Sequence, residues 1–291
     1  MDLTAPALAV RSLVVRRAGR TILSDVSLAV PRGQIMGLAG RNGAGKTTFL
    51  RAVLGLIRHE GSVLFGVPRD RVSVAFDSWP VMDGLDAREH LTLTGAYLGA
   101  TVRIDEMLDR VGVPRSDRTT PARRLSHGTR RKLSLACALV GEPQLLLLDE
   151  PHNALDPIAI RELNNTLASL AEDGVAILLS SHLLDELERV CEAVTVIDGG
   201  RVVLEGPTSG LLASRHVVLR VDDARAAAAA LPAHLGAVTT DPRTVLIDAH
   251  SDPEIADAVR SLVRADVAVH AVQARSGALA DAIIDAMGVT G

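Results

Sequence analysis

Apolar positions fall first into short alternating or continuous runs. Leu8–Val15, Thr21–Val30 and Gln34–Ala39 predict three strands, separated by turns at Ala18-Gly19 and Pro31-Arg32-Gly33. Phe49, Leu50, Val53, Leu54 and Ile57 then recur at helical spacing. From about Asp83 to Val140 the pattern is mostly helical. Strands return at Gln144–Leu148, Gly174–Leu179 and Ala193–Ile197, and Asp198-Gly199-Gly200-Arg201 predicts a hairpin into Val202–Glu205. The character changes near Ser214. Beyond it the pattern predicts strand His216–Val221, an Ala-rich helix over Asp223–Leu231, and strands Ala237–Thr240 and Thr244–Asp248 around a turn at Asp241-Pro242. A helix opening at Ser251-Asp252-Pro253, strand Val267–Val272 and a helix over Gly277–Met287 complete the chain. This βαββαβ order points to a small ferredoxin-like α+β appendix.

Composition narrows the class. With 291 residues, 47% of them hydrophobic, and a net charge of only −4, the chain can bury a large core and is not disordered. Its apolar runs are of strand length, well short of the roughly 20 residues a membrane span needs. Met1-Asp2-Leu3-Thr4 carry no basic stretch leading into an apolar core, so no secretory signal is expected. Cys137 and Cys191 sit in apolar helical patterns outside any metal-ligand spacing and are expected as reduced, buried thiols. The slightly acidic balance argues against nucleic-acid binding. Lys46 and Lys132 are the only lysines, which makes the place of Lys46 more telling.

That place is inside Gly40-Arg41-Asn42-Gly43-Ala44-Gly45-Lys46-Thr47-Thr48, between a strand and a helix. The spacing Gly-x-x-x-x-Gly-Lys-Thr is a P-loop. Its glycines let backbone N–H groups turn inward around phosphate oxygens, and the helix N-terminus adds a positive dipole end. Lys46 is placed to reach the β and γ phosphates and the Thr47 hydroxyl to ligate Mg²⁺. Gly40, Asn42, Gly43, Ala44, Gly45, Lys46, Thr47 and Thr48 are thus candidate nucleotide-binding residues. The motif by itself indicates a nucleoside triphosphate and no particular function.

Far downstream, Leu145-Leu146-Leu147-Leu148 is a buried strand ending in Asp149-Glu150. Asp149 suits Mg²⁺ through water, and Glu150 suits an attacking water one residue on. Two acids at a strand end are common. It is the P-loop upstream that gives them meaning, and the wide separation leaves room for an inserted helical subdomain.

With these motifs in this order the chain resembles the ATP-binding subunits of ABC transporters over about residues 7–213. Leu125-Ser126-His127-Gly128-Thr129 resembles the signature of that family, Pro151-His152-Asn153-Ala154-Leu155-Asp156 its D-loop, His182 its switch histidine, and Asp77 occupies its Q-loop place. The nearest resemblance is to bacterial exporters of the drug and antibiotic-resistance type. It implies an α/β P-loop NTPase fold with a parallel sheet core and an N-terminal antiparallel β subdomain. A helical subdomain over about 83–140 would be inserted in an ATP-binding domain 1–213, with the α+β unit 214–291 appended. The activity implied is ATP hydrolysis with Glu150 and His182 as catalytic residues. Two copies, or one copy and a related ATPase subunit, would sandwich two ATP. Each ATP would meet Ser126 and Gly128 of the opposite copy, and Asp156 would couple the two sites. Thr47, Asp77 and Asp149 would serve Mg²⁺. A separate integral membrane permease would be the driven partner, with this chain cytoplasmic and peripheral on the inner face of the membrane. Trp79 and Tyr97 fall where the resemblance places permease docking.

Four positions depart from the family pattern. His127 replaces a glycine and Thr129 a glutamine of the signature; Asp77 replaces a glutamine, and is shorter and acceptor-only; Ala18 stands where an aromatic would stack on adenine. Two rival readings follow. One is a soluble, non-transport ATPase of the same type, disfavoured by a single nucleotide domain and no basic arm. The other is a regulatory subunit that binds ATP but hydrolyses it weakly, disfavoured by Glu150 and His182.

Overall fold

The computed structural model describes residues 5–77, 82–208, 216–249 and 251–274. The chain divides into two compact units, Met1–Gly206 and Pro207–Gly291.

The first unit opens with β1 (Leu8–Arg17) and β2 (Arg20–Val30), joined in an antiparallel sheet in which β4 (Glu60–Phe65) flanks β1. In β1 the buried positions run Leu8, Val10, Leu13, Val15. The phase slips by one residue after Val10, where a bulge interrupts the pairing and Ser12 takes φ 50°. Gly61 faces that bulge so closely that a Cβ there would lie 2.3 Å from the Ser12 carbonyl oxygen.

A second sheet of six strands has the order β5 (Val72–Ala75), β6 (Leu145–Asp149), β7 (Ala176–Ser181), β3 (Ile35–Ala39), β8 (Ala193–Asp198), β9 (Arg201–Pro207). The first five are parallel. Every residue of β3, β6 and β7 is buried, which is why these strands read as continuous apolar runs rather than alternations. The predicted hairpin joins β8 to β9 with Gly199 at φ 52° and Gly200 at φ 79°, as a two-residue turn of this hand demands. Helix α1 (Lys46–Val53) follows β3 and buries Phe49, Leu50 and Val53. Strands β4 and β5 have no counterpart among the predicted elements. They are short, and most of their side chains are half-buried or exposed.

Between β5 and β6 the chain forms α2 (Ala87–Leu98), α3 (Ile104–Arg110) and α4 (His127–Leu139). The start of α2 is fixed by a capping box: the Asp86 carboxylate accepts from Glu89 N at 2.9 Å, and the Glu89 carboxylate accepts from Asp86 N at 2.8 Å. Helices α5 (Pro157–Glu172) and α6 (Leu184–Val190) follow β6 and β7. Cys137 and Cys191 are buried and form no disulfide among the described residues, and burial pushes both thiols above their ordinary pKa. Among the described residues no helix is long and apolar enough to cross a membrane.

The second unit contains β10 (His216–Val221), α7 (Ala224–Ala230), β11 (Val238–Asp241), β12 (Thr244–Asp248), α8 (Asp252–Arg264) and β13 (Val269–Ala274). Its sheet has the order β11-β12-β10-β13 with every neighbour antiparallel. That is the split βαβ arrangement the sequence predicts. Ala224 and Ala227 of α7 are buried in its core beside Val217, Leu219 and Leu262, so the Ala-rich stretch supplies small packing volume. The helix predicted over Gly277–Met287, and Trp79, lie outside the described residues.

Candidate functional site

Three neighbouring parallel strands end side by side. In the register Ala39 pairs with Ser181 and Asp149 with Ser180, so the segments that leave β3, β7 and β6 emerge together at the carboxyl edge. Open α/β sheets place ligands at this edge.

From β3 the chain enters the P-loop. Gly40, Gly43 and Gly45 take φ of 156°, 86° and 111°. A Cβ on Gly40 would lie 2.4 Å from the Ile197 carbonyl oxygen, and one on Gly45 would lie 2.6 Å from Leu23 Cδ2, so the loop is drawn tight against β8 and β2. Asn42 and Gly43 are exposed at its outer turn, Ala44 is buried, and Thr48 is half-buried in α1. Gly45 caps α1 without a side chain, and no acidic residue sits in the first turn, so the helix presents its N-terminal N–H groups to an incoming anion.

Lys46 and Thr47 open α1 and face the other two strand ends. Lys46 Nζ donates to Gly40 O at 2.6 Å and stands 2.9 Å from Glu150 Oε1, with both side chains almost wholly buried. Thr47 Oγ1 donates to Asp149 Oδ2 at 2.8 Å, and Ser180 Oγ donates to the other carboxylate oxygen, Asp149 Oδ1, at 2.7 Å. Glu150 takes φ 49°, a left-handed conformation costing a non-glycine residue about 1–2 kcal/mol. Its N–H donates to Ser180 O at 3.0 Å and lies 3.1 Å from Ser180 Oγ. The turn in the backbone carries the Glu150 side chain back over the strand end. There His182 Nδ1 donates to Glu150 Oε2 at 2.8 Å and His182 N contacts the same oxygen at 3.3 Å.

Lys46, Thr47, Asp149, Glu150 and His182 therefore form one connected cluster. Ser180 is its sixth member, and only its position beside the strand end in the sequence hinted at it. The donor set of Thr47 and Asp149 is hard oxygen, which fits a magnesium ion that brings its own waters and phosphates.

The remaining candidates lie elsewhere. Asp77 pairs with the Arg131 guanidinium of α4, which also donates to Asp77 O at 2.9 Å, and Asn153 Nδ2 lies 3.4 Å from Asp77 Oδ1. Among the described residues no hydrogen bond joins Asp77 to Thr47 or Asp149. Ser126 is the N-cap of α4, accepting from Thr129 N at 3.1 Å, while the Thr129 hydroxyl contacts Asp117 Oδ2 at 3.2 Å. Thr129 is thus buried in the cap, and His127 is exposed. Gly128 has Leu155 and Ser126 as its nearest neighbours, at ordinary contact distance. Asp156 caps α5, accepting from Ile158 N and Ala159 N at 2.9 Å. Ala18 is exposed at the β1–β2 turn with φ 46°.

Comparison with known proteins agrees with this geometry. The family described as ABC transporter matches residues 23–153. The lantibiotic transport ATP-binding protein SrtF of Streptococcus pyogenes is 34% identical over 199 residues, covering 66% of this chain and 86% of that protein. The Nod factor export ATP-binding protein I of Sinorhizobium fredii is 38% identical over 212 residues, covering 66% of this chain and 60% of that protein. A solved ATP-binding subunit of an ABC transporter is 28% identical and superposes with a TM-score of 0.65, over 71% of this chain and 92% of its own. The chain belongs to the ABC transporter family, as one of its ATP-binding, ATP-hydrolysing subunits.

Proposed function

We propose that this subunit binds MgATP at the Lys46–Thr47–Asp149–Glu150–His182 cluster, closes on a second copy of itself or a related ATPase subunit, and drives a separate membrane permease in export. The observation that carries the reading is the meeting of three strand ends that sets Lys46 against Glu150 and Thr47 against Asp149.

Each residue has a role that follows from its chemistry. The P-loop glycines and the open N-terminus of α1 bind phosphate oxygens, and Lys46 neutralises the β and γ phosphates. Thr47 and Asp149 hold Mg²⁺, with Ser180 orienting the Asp149 carboxylate. When bound, Mg²⁺ neutralises charge on the β and γ oxygens. Glu150 orients and deprotonates the attacking water, and His182 steadies Glu150 from the far side. Asp77 is paired with Arg131 and, among the described residues, is not joined to the cluster, so the metal is assigned first to Thr47 and Asp149, with Asp77 as a further candidate.

Ser126 and Gly128, at the N-terminus of α4, cap the ATP held by the opposite copy, and Asp156 couples the two sites. Similarity to a lantibiotic transport ATP-binding protein and a Nod factor export ATP-binding protein supports export by a permease. On α2, Leu93 and Tyr97 lie one turn apart and both are exposed, which suits them to dock that permease at the cytoplasmic face. The division into two compact units near Gly206 and Pro207 supports an ATP-binding domain over about 1–213 followed by an accessory unit over 214–291.

Titration of the purified chain with a fluorescent ATP analogue, with and without Mg²⁺, tests the assignment. Binding that needs Lys46 and disappears in Lys46→Ala supports it; unchanged affinity in Lys46→Ala overturns it.

A further inference from the structure

Three residues after Asp149, His152 is buried to 1% of its surface in the turn that follows Glu150. Its Nε2 lies 2.7 Å from Asn164 Oδ1 on α5. Asn164 Nδ2 in turn donates to Glu186 Oε2 at 3.2 Å, in the first turn of α6. The carboxylate can only accept, so the Asn164 amide nitrogen must face Glu186 and its oxygen must face the histidine. His152 is therefore the Nε2–H tautomer. Burial holds it neutral by pushing its pKa below the ordinary value, although Asn164, Glu186 and Glu150 pull the other way.

The other ring nitrogen, Nδ1, is buried and has no hydrogen-bond partner among the described residues. The hydrogen bond that the ring does make, to Asn164, points to what it does. That bond runs between two segments of the site. The His152 turn begins at Glu150, where Asn153 N donates to Glu150 O at 3.1 Å. Helix α6 begins two residues after His182.

We propose that His152 is a positioning residue for the Glu150–His182 pair: its Nε2–H, through Asn164 and Glu186, ties the turn after Glu150 to the helix after His182 and so fixes how the two meet. The inference rests on the reading of Glu150 as the residue that orients water. Glu150 is in a left-handed conformation at a strand end, which local sequence alone does not enforce. A clamp from the next turn onto two helices holds it there. Loss of the clamp leaves the nucleotide contacts of the P-loop intact and loosens only the group that acts on water, so it lowers kcat and spares KM.

The test is steady-state ATP turnover of the full-length chain, as kcat and KM, for wild type, His152→Leu, His152→Gln, Asn164→Ala and the His152→Leu/Asn164→Ala double variant, with Glu150→Gln as reference. His152→Leu is expected to lower kcat by about ten- to a hundredfold, the range for a small misplacement near a reacting group, with KM for ATP within about twofold of wild type. His152→Gln keeps an amide donor and recovers most of the rate. The double variant turns over no more slowly than the slower single variant, because both substitutions interrupt the same His152–Asn164–Glu186 link. Wild-type kcat in His152→Leu, equal loss in Leu and Gln, or losses that multiply in the double variant would overturn the proposal. Should His152→Leu not fold, Asn164→Ala at its half-buried site decides: wild-type kcat there overturns the proposal, and a kcat loss at constant KM supports it. Wild-type turnover in Glu150→Gln would instead overturn the reading of the site, so the two failures are separable.

Discussion

Lys46 Nζ and Glu150 Oε1 lie 2.9 Å apart, and the two side chains are 6% and 10% exposed. The cation assigned to the phosphates and the carboxylate assigned to the attacking water are each other's counter-ion in a nearly dry setting. Removing one partner of such a pair strands the other as a buried charge.

Lys46→Ala is therefore expected to destabilise the fold as well as abolish ATP binding. Breaking one side of a buried pair costs about 3–5 kcal/mol, whereas removing both charges is often close to neutral. Urea unfolding of Lys46→Ala in buffer without nucleotide reads the first effect. The Lys46→Met/Glu150→Gln double variant is expected to regain most of the lost stability while still failing to bind ATP. Equal stability of Lys46→Ala and wild type would mean that Glu150 draws its support from His182 alone.

Stability also has a predicted pH dependence at His152. Burial holds its folded pKa below the ordinary 6.5, ahead of the opposing contributions of Asn164, Glu186 and Glu150. As pH falls through 6.5 the unfolded chain takes up a proton there and the folded chain does not. The stabilisation is thus fully present above the unfolded value and is lost as pH falls toward the folded one, by at most about 1.4 kcal/mol per pH unit. Urea midpoints of wild type and His152→Gln at pH 7.5 and pH 5.5 are expected to differ in slope, the variant being the flatter. Parallel slopes would show that His152 is charged in the folded chain.

Much of this was legible along the chain, for identifiable reasons. Strands β3, β6 and β7 are buried on both faces, so their apolar runs stand out. The P-loop and the Asp149-Glu150 pair are contiguous motifs, and contiguity is what a single sequence displays. Strands β4 and β5 escaped because a short, half-exposed strand carries little alternation. The bonds Ser180–Asp149, Arg131–Asp77 and His152–Asn164 join residues 31, 54 and 12 apart. They arise from parallel register and helix packing, which no local pattern encodes. His152 was visible as one letter in a D-loop-like run, and its burial was not.

Base selectivity is expected to be weak. Ala18 offers a methyl group where an aromatic would stack on adenine, and it is exposed at the β1–β2 turn. Stacking on an aromatic contributes about 1–3 kcal/mol per base in nucleic-acid systems. Without it affinity rests on phosphates and Mg²⁺, which ATP and GTP share. Equilibrium titrations are expected to differ by less than about tenfold, near 1.4 kcal/mol. A larger preference for ATP would place another residue under the base. Ala18→Tyr is expected to gain less than a full stacking contribution, because φ 46° at this position disfavours a bulky side chain.

In the proposed reaction Glu150 acts on the attacking water while ATP is held between two copies of the chain. The most direct measurement is ATP binding, turnover and size on the purified Glu150→Gln variant in the presence of Mg²⁺. If Glu150 has this role, ATP affinity stays close to wild type, turnover falls by roughly 10²–10⁴-fold, the usual contribution of a positioned general base, and an ATP-dependent dimer forms on size exclusion. Turnover at the wild-type rate, with no dimer, would contradict it.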